Sequence, residues 1–334
     1  MKERLYSLDI IRGVACMMVV LMHAPLPSKD ATSFVVASTT FFSEPCIGLF
    51  FMLSGYLVLP VRKDVFIFLS ERLHRILFPT LIWTFIYLIG FGIIFHDDIV
   101  KVILSIPFQR QGSGILWFMY VLMGLYILAP IISPWLEKAR KREILFVLSL
   151  WCITLCFPLL SPFLYLPEGT WGMLYYYSGY AGYFLLGYYI KKYEPKLHVF
   201  TIILIYIVPA LIILLARIYN VSFITQSYGY LSLFTLMMAL AWFLLLQKIP
   251  NKAIVNCRTR SIIVNFSNYS FGIYLAHQLV KSQLVWRLSF IQEHGCVFQI
   301  LSTFLLTIII TYLIVLLLTK MPFSKYIIGY SNKR

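Results

Sequence analysis

Residues 4–24, RLYSLDIIRGVACMMVVLMHA, form an apolar run interrupted by Asp9, Arg12 and His23. A stretch of about this length is what a helix needs to cross a bilayer, and ionisable side chains inside such a stretch are costly and mark function. Arg12 and His23 stand eleven positions apart, so at about 100° per residue they return to within roughly 20° of one helix face, about 16 Å apart along the axis. Asp9, at i,i+3 from Arg12, is placed to pair with its guanidinium. The first span carries these charges and no small-residue cleavage pattern, so it is expected to stay in the membrane.

The rest of the chain extends this reading. Of its 334 residues 60% are hydrophobic and 12% charged, and the mean hydropathy is +0.84; this excludes an ordinary soluble protein. The expectation is an all-α, polytopic membrane protein of about ten transmembrane helices. They fall near 6–25, 38–60, 77–95, 115–134, 144–162, 172–190, 199–217, 226–246, 262–283 and 298–320. The formal charge of +15 is unevenly spread between the loops. Most lysines and arginines, among them Arg62, Arg72, Arg75, Arg140, Lys192 and Lys325, fall on one side. The other side holds Lys29, Lys101, Arg110, Arg217, Lys281 and Arg287. The positive-inside rule then places both termini in the cytoplasm. No long loop, repeat or linker breaks residues 1–334, so a single membrane domain is expected.

Ionisable residues within the spans locate a candidate site: Asp9, Arg12 and His23, then Glu44, then His277 and Lys281. With the amino terminus inside, the last four lie in the outer halves of their helices, which suggests one polar cavity. The segment SERLHRILFPTLIW, Ser70–Trp83, sets Arg72 and Arg75 on one face at i,i+3, with Glu71 at i,i+4 from Arg75. Paired guanidiniums suit the phosphates of a nucleotide-bearing donor. PEGTWGMLYYYSGYAGY, Pro167–Tyr183, gathers Trp171, Tyr176 and further tyrosines that read either as a membrane-interface belt or as a surface for stacking a sugar. The six cysteines show no metal spacing, and His23, Glu44 and His277 come from separate helices, so no metal is expected.

Several motifs in order resemble the integral-membrane acyltransferase family 3. LDIIRGVACMMVVLMHA matches its first-helix arginine and histidine at Arg12 and His23, and CIGLFFMLSGYLV, Cys46–Val58, is similar to its second-helix signature. RLHRILFPT resembles its basic motif, here with two residues between the arginines. WFMYVLMGLYILAP, from Trp117, and YSFGIYLAH, ending at His277, resemble later patterns. The resemblance implies an O-acetyltransferase of the cell membrane. It would move acetyl from cytoplasmic acetyl-CoA to a hydroxyl of a cell-envelope glycan or lipid-linked sugar, with no permanently bound cofactor and no nucleic-acid partner. On that reading Arg72 and Arg75 hold CoA phosphates. His23, with Arg12 and Asp9, carries the chemistry as general base or transient acetyl carrier. Glu44, His277, Lys281, Trp117 and Tyr176 are the candidates for acceptor binding. A glycan exporter of the same family is the rival. Its cue, paired interrupted helices in two repeated halves, is not seen.

Overall fold

A computed structural model describes residues 4–25, 34–91, 100, 116–164, 172–254 and 256–330. Among these, the regular structure is entirely helical. The main helices are α1 (Tyr6–His23), α2 (Phe34–Ser43), α3 (Pro45–Val58), α4 (Val65–Gly90), α5 (Trp117–Lys138) and α6 (Lys141–Leu164). They are followed by α7 (Ala181–Tyr193), α8 (Val199–Ile218), α9 (Leu233–Gln247), α10 (Cys257–Val280) and α11 (Cys296–Leu318). Seven of the described helical stretches are long and apolar enough to cross a membrane: α1, Phe34–Val58, α4, α5, Lys141–Phe163, α8 and α11. With α10, of 24 residues, length suffices but Arg258, Arg260, Asn265 and Asn268 lower its apolarity. The outward faces fit lipid. On α11 the exposed ridge is Leu301, Leu305, Ile309, Leu313 and Leu317, while Thr303, Thr307 and Thr311 are buried.

Several boundaries differ from the hydropathy reading for identifiable reasons. The helix expected to begin at residue 77 begins at Val65, because the Asp64 carboxylate caps it, accepting from the amides of Phe66 and Ile67 at 2.9 and 3.1 Å. The span expected over 172–190 is instead a 3₁₀ segment, Gly172–Tyr177, and then α7. Between them Gly179 takes a φ of +88°. The stretch 38–60 breaks at Glu44, where Pro45 opens α3 at its first turn. The run 262–283 ends as an α-helix at Val280 and continues as a π-turn, Lys281–Val285.

The chain forms two compact units. The first comprises Met1–Met18, Phe41–Arg62 and Ala129–Ile263. Its centre is the crossing of α3 and α7, where two backbones meet at glycine. A Cβ on Gly55 would stand 1.8 Å from the Phe184 carbonyl oxygen, and one on Gly187 would stand 1.9 Å from that of Met52. Lysines close its helix ends. Lys191 Nζ donates to the Leu59 carbonyl at 3.0 Å, and Lys192 Nζ to those of Leu136 and Ala139 at 3.1 and 3.2 Å. Both meet orphan carbonyls where a cation also suits the helix dipole.

The second unit comprises Val19–Thr40, Lys63–Leu128 and Val264–Arg334. Here α4 is tied to its neighbours by ring-borne donors. Tyr87 Oη donates to the Leu275 carbonyl at 2.7 Å and Trp83 Nε1 to the Ile327 carbonyl at 2.9 Å. Gly272 of α10 sits against Val315 of α11 and Ile328 of the short helix Ser324–Ile328.

Candidate functional site

In the second unit three of the residues singled out by sequence converge. His23 is the last residue of α1, so its carbonyl has no partner within the helix, and Lys281 Nζ donates to it at 3.0 Å. Lys281 is 2% exposed and opens the π-turn; the wider turn is closed by the Trp286 amide donating to the Lys281 carbonyl at 2.8 Å. One extra residue in the turn distinguishes such segments from the regular helix, and they recur at functional sites.

Beside this tie the imidazoles of His23 and His277 stack, with ring centroids 5.3 Å apart and planes inclined at 30°. His277 is fully buried, and its Nδ1 bonds the Tyr274 carbonyl. A carbonyl can only accept, so Nδ1 carries the proton, and a neutral ring then presents its lone pair at Nε2. That Nε2 is buried with no hydrogen-bond partner among the described residues, and so is His23 Nδ1. Buried polar atoms are nearly always satisfied, so two open imidazole nitrogens in one stacked pair mark a place for a substrate's polar groups or for water. A row of rings shores the pair from one side. Tyr274 lies 5.8 Å from His277, Phe118 lies 5.6 Å from Tyr274, and Trp117 meets the Phe118 ring edge-on at 6.3 Å.

Arg72 and Arg75 belong to the same unit, on the first half of α4. Arg72 is half-buried and Arg75 exposed, and neither guanidinium has a hydrogen bond or ion pair among the described residues. Glu71, expected opposite Arg75, bonds Lys63 at 2.7 Å, while Arg72 and Arg75 attract its carboxylate through space without a direct contact. The loop before α4 brings that lysine back over the first turns, leaving both arginines open to an anion. His74, between them, turns to Ser70 and stacks on Phe78 at 5.5 Å.

Other candidates belong to the first unit. Asp9, 6% exposed, accepts a two-point contact from Arg4 Nε and Nη2 at 2.7 and 3.0 Å. Spacing within the helix could not suggest this partner, because Arg4 precedes the helix and folds back on its first turn. Arg12 is half-buried and lies on the one continuous helix that ends at His23. Glu44 stands at the break before α3, its Oε2 buried without a partner among the described residues. Arg217 Nε is in the same condition. Tyr176 lies in the 3₁₀ segment and is 93% exposed. Trp171, Lys29, Lys101 and Arg110 lie outside the described residues. No group of three His, Cys, Asp or Glu that could hold a metal ion occurs among the described residues.

Sequence reading passed over three buried threonines of α11, Thr303, Thr307 and Thr311, whose hydroxyls also lack partners among the described residues. Only their four-residue spacing within an apolar helix could have pointed to them.

A family model described as an acyltransferase domain matches residues 5–320. Comparison with characterised proteins and with solved structures gave no match. The match spans both compact units and takes in the stacked histidines and the open arginines alike, and by it this chain of apolar helices, a multi-pass membrane protein, belongs to acyltransferase family 3.

Proposed function

We propose that the protein is a membrane O-acetyltransferase that takes acetyl from cytoplasmic acetyl-CoA and esterifies a hydroxyl of a cell-envelope glycan or lipid-linked sugar. The observation that carries this reading is the stacked pair of His23 and His277, with two buried ring nitrogens open to a ligand. A neutral imidazole in such a place presents a nitrogen lone pair to which an acceptor hydroxyl can pass its proton as it attacks. His23 removes the proton from the acceptor hydroxyl as its oxygen attacks the thioester carbonyl. The C–S bond then breaks, and the departing thiolate of CoA recovers that proton from the imidazole. His277 holds the His23 ring by stacking, and Lys281 holds the end of α1 through the His23 carbonyl. The two unpaired arginines of α4 match the phosphates of the donor. Glu44 and the tyrosines around Tyr176 are candidates for the sugar.

In this reading about ten helices cross the cell membrane, and both termini face the cytoplasm, which sets Arg72 and Arg75 on the side where acetyl-CoA is found. The test is transfer of radiolabelled acetyl from acetyl-CoA into glycolipid by membranes carrying wild type, His23→Ala or Arg12→Ala protein at matched expression. Loss of labelling in both variants supports the assignment. Full labelling by His23→Ala overturns the catalytic role, and a wild type that transfers no label overturns the reaction. Label trapped on the wild-type protein without acceptor would show His23 to be an acetyl carrier rather than a base.

A further inference from the structure

We infer that Thr303, Thr307 and Thr311 of α11 form the subsite for the pantetheine arm of the acyl donor, an inference that rests on the acetyl-CoA reading above.

The three side chains are 0%, 1% and 0% exposed, and none of their hydroxyls has a hydrogen-bond partner among the described residues. This is unusual for threonine in a helix, whose hydroxyl ordinarily turns back to the carbonyl three or four residues earlier. Neighbours on the same helix do so. Ser302 Oγ donates to the Phe298 carbonyl at 2.6 Å, and Thr319 Oγ1, just past the helix end, donates to that of Leu316 at 2.7 Å. In α4 the Thr84 hydroxyl donates to the Thr80 carbonyl at 2.8 Å. The three buried hydroxyls, like that of Thr80 in α4, are therefore not bonded to their own backbone.

Contacts at both ends of that face lead to the histidines. Ile300, one turn before Thr303, packs with Ala24, the neighbour of His23. Val315, one turn after Thr311, packs on Gly272, five residues before His277. Past Val315 the chain returns to the helix that carries the arginines. The short helix after α11 is tied to α4 by the Trp83–Ile327 bond, and Gly329 lies against the Arg75 carbonyl. A chain entering at the arginines thus meets Thr311 first and Thr303 last on its way to His23.

Pantetheine suits this row of hydroxyls by its polar groups. It carries one hydroxyl and two amides on an otherwise flexible apolar chain, and the amides are four bonds apart, about 5 Å at standard bond lengths. Successive threonines are separated by about 6 Å along the helix, and the three span about 12 Å. In a membrane interior an arm with two amides needs partners of this kind, because neither amide can be left bare in apolar surroundings.

The test uses the full-length protein in lipid nanodiscs and measures equilibrium binding of radiolabelled acetyl-CoA. Displacement is by 3′,5′-ADP, which has the nucleotide and phosphates but no arm. Thr307→Val/Thr311→Val should weaken acetyl-CoA on the order of tenfold through the lost hydrogen bonds, with the affinity for 3′,5′-ADP unchanged. Arg72→Ala/Arg75→Ala should weaken both. Thr307→Ser/Thr311→Ser, which keeps the hydroxyls, should bind acetyl-CoA within about twofold of wild type. Unchanged acetyl-CoA affinity in the valine variant overturns the subsite. A valine variant that loses 3′,5′-ADP as well, with a lowered melting temperature, overturns it in favour of a structural role. Failure of the wild type to bind acetyl-CoA overturns the donor reading itself, and with it the subsite, and is read from the wild-type arm alone.

Discussion

Replacing Lys281 by methionine separates holding the site from holding the fold. The side chain is 2% exposed and its Nζ donates at 3.0 Å to the carbonyl that ends α1. A hydrogen bond to a charged group contributes about 1.5–3 kcal/mol. Against this, burying an ammonium costs several kcal/mol, which an apolar side chain of similar length does not incur. The two roughly offset, so Lys281→Met should melt within a few degrees of the wild type. Catalysis has no such compensation. The freed end of α1 carries His23, and a misplacement of about 1 Å at a reacting group costs on the order of 100-fold. The expected result is a fall in kcat of roughly 10- to 100-fold with KM for acetyl-CoA nearly unchanged, because Arg72 and Arg75 are not disturbed. Acetyl transfer by purified protein at varied acetyl-CoA, with melting followed in parallel, reads both quantities. A folded Lys281→Met protein with wild-type kcat would refute the claim that this bond positions His23.

Gly55→Ala and Gly187→Ala each drive a Cβ to within 1.8 or 1.9 Å of a backbone oxygen. Backbone cannot yield as a flexible side chain can, so each should cost more than about 3 kcal/mol and abolish recovery of folded protein by size-exclusion chromatography. Asp64→Ala removes the cap that accepts from Phe66 and Ile67 and should lower stability by about 1 kcal/mol, read by melting, with transfer otherwise intact. His277→Gln should fold normally yet lose transfer by about 100-fold, since the stacking surface and the open Nε2 go together. Chelator treatment should leave turnover unchanged, and rescue by a single divalent ion after inactivation would contradict this.

The membrane class and most helices were legible because a bilayer imposes a length and an apolarity that composition records directly. Boundaries were legible only where the polar signal coincided with the apolar one. Asp64 caps a helix that has Lys63 before it and Glu71 and Arg72 at its second turn, so hydropathy alone placed the start twelve residues late. Glycine roles were hidden for a different reason. Gly55 sits in a motif that reads as a signature for chemistry, yet its neighbour is the Phe184 carbonyl, a tertiary fact that no local pattern encodes. Lys191 and Lys192 read as positive-inside charges and prove also to close helix ends.

For the candidate site, the sequence singled out residues and left their partners open. His23, His277 and Lys281 stood out because each is an expensive residue to place in an apolar span, and that cost is independent of where the chain folds. Which atoms meet depends on details of one turn. The π-turn at Lys281 sets where its long side chain reaches, and a single carbonyl, that of Tyr274, decides which nitrogen of His277 is free. The threonines escaped notice by the converse argument. A hydroxyl in a helix ordinarily satisfies itself at no cost, so Thr303, Thr307 and Thr311 carry information only through what they decline to bond. Open imidazole nitrogens and open hydroxyls in one unit each forgo a partner that evolution could have supplied with a small apolar replacement. Buried polar atoms are nearly always satisfied, so the open nitrogens and hydroxyls of this unit are the atoms on which the proposed donor path is to be tested.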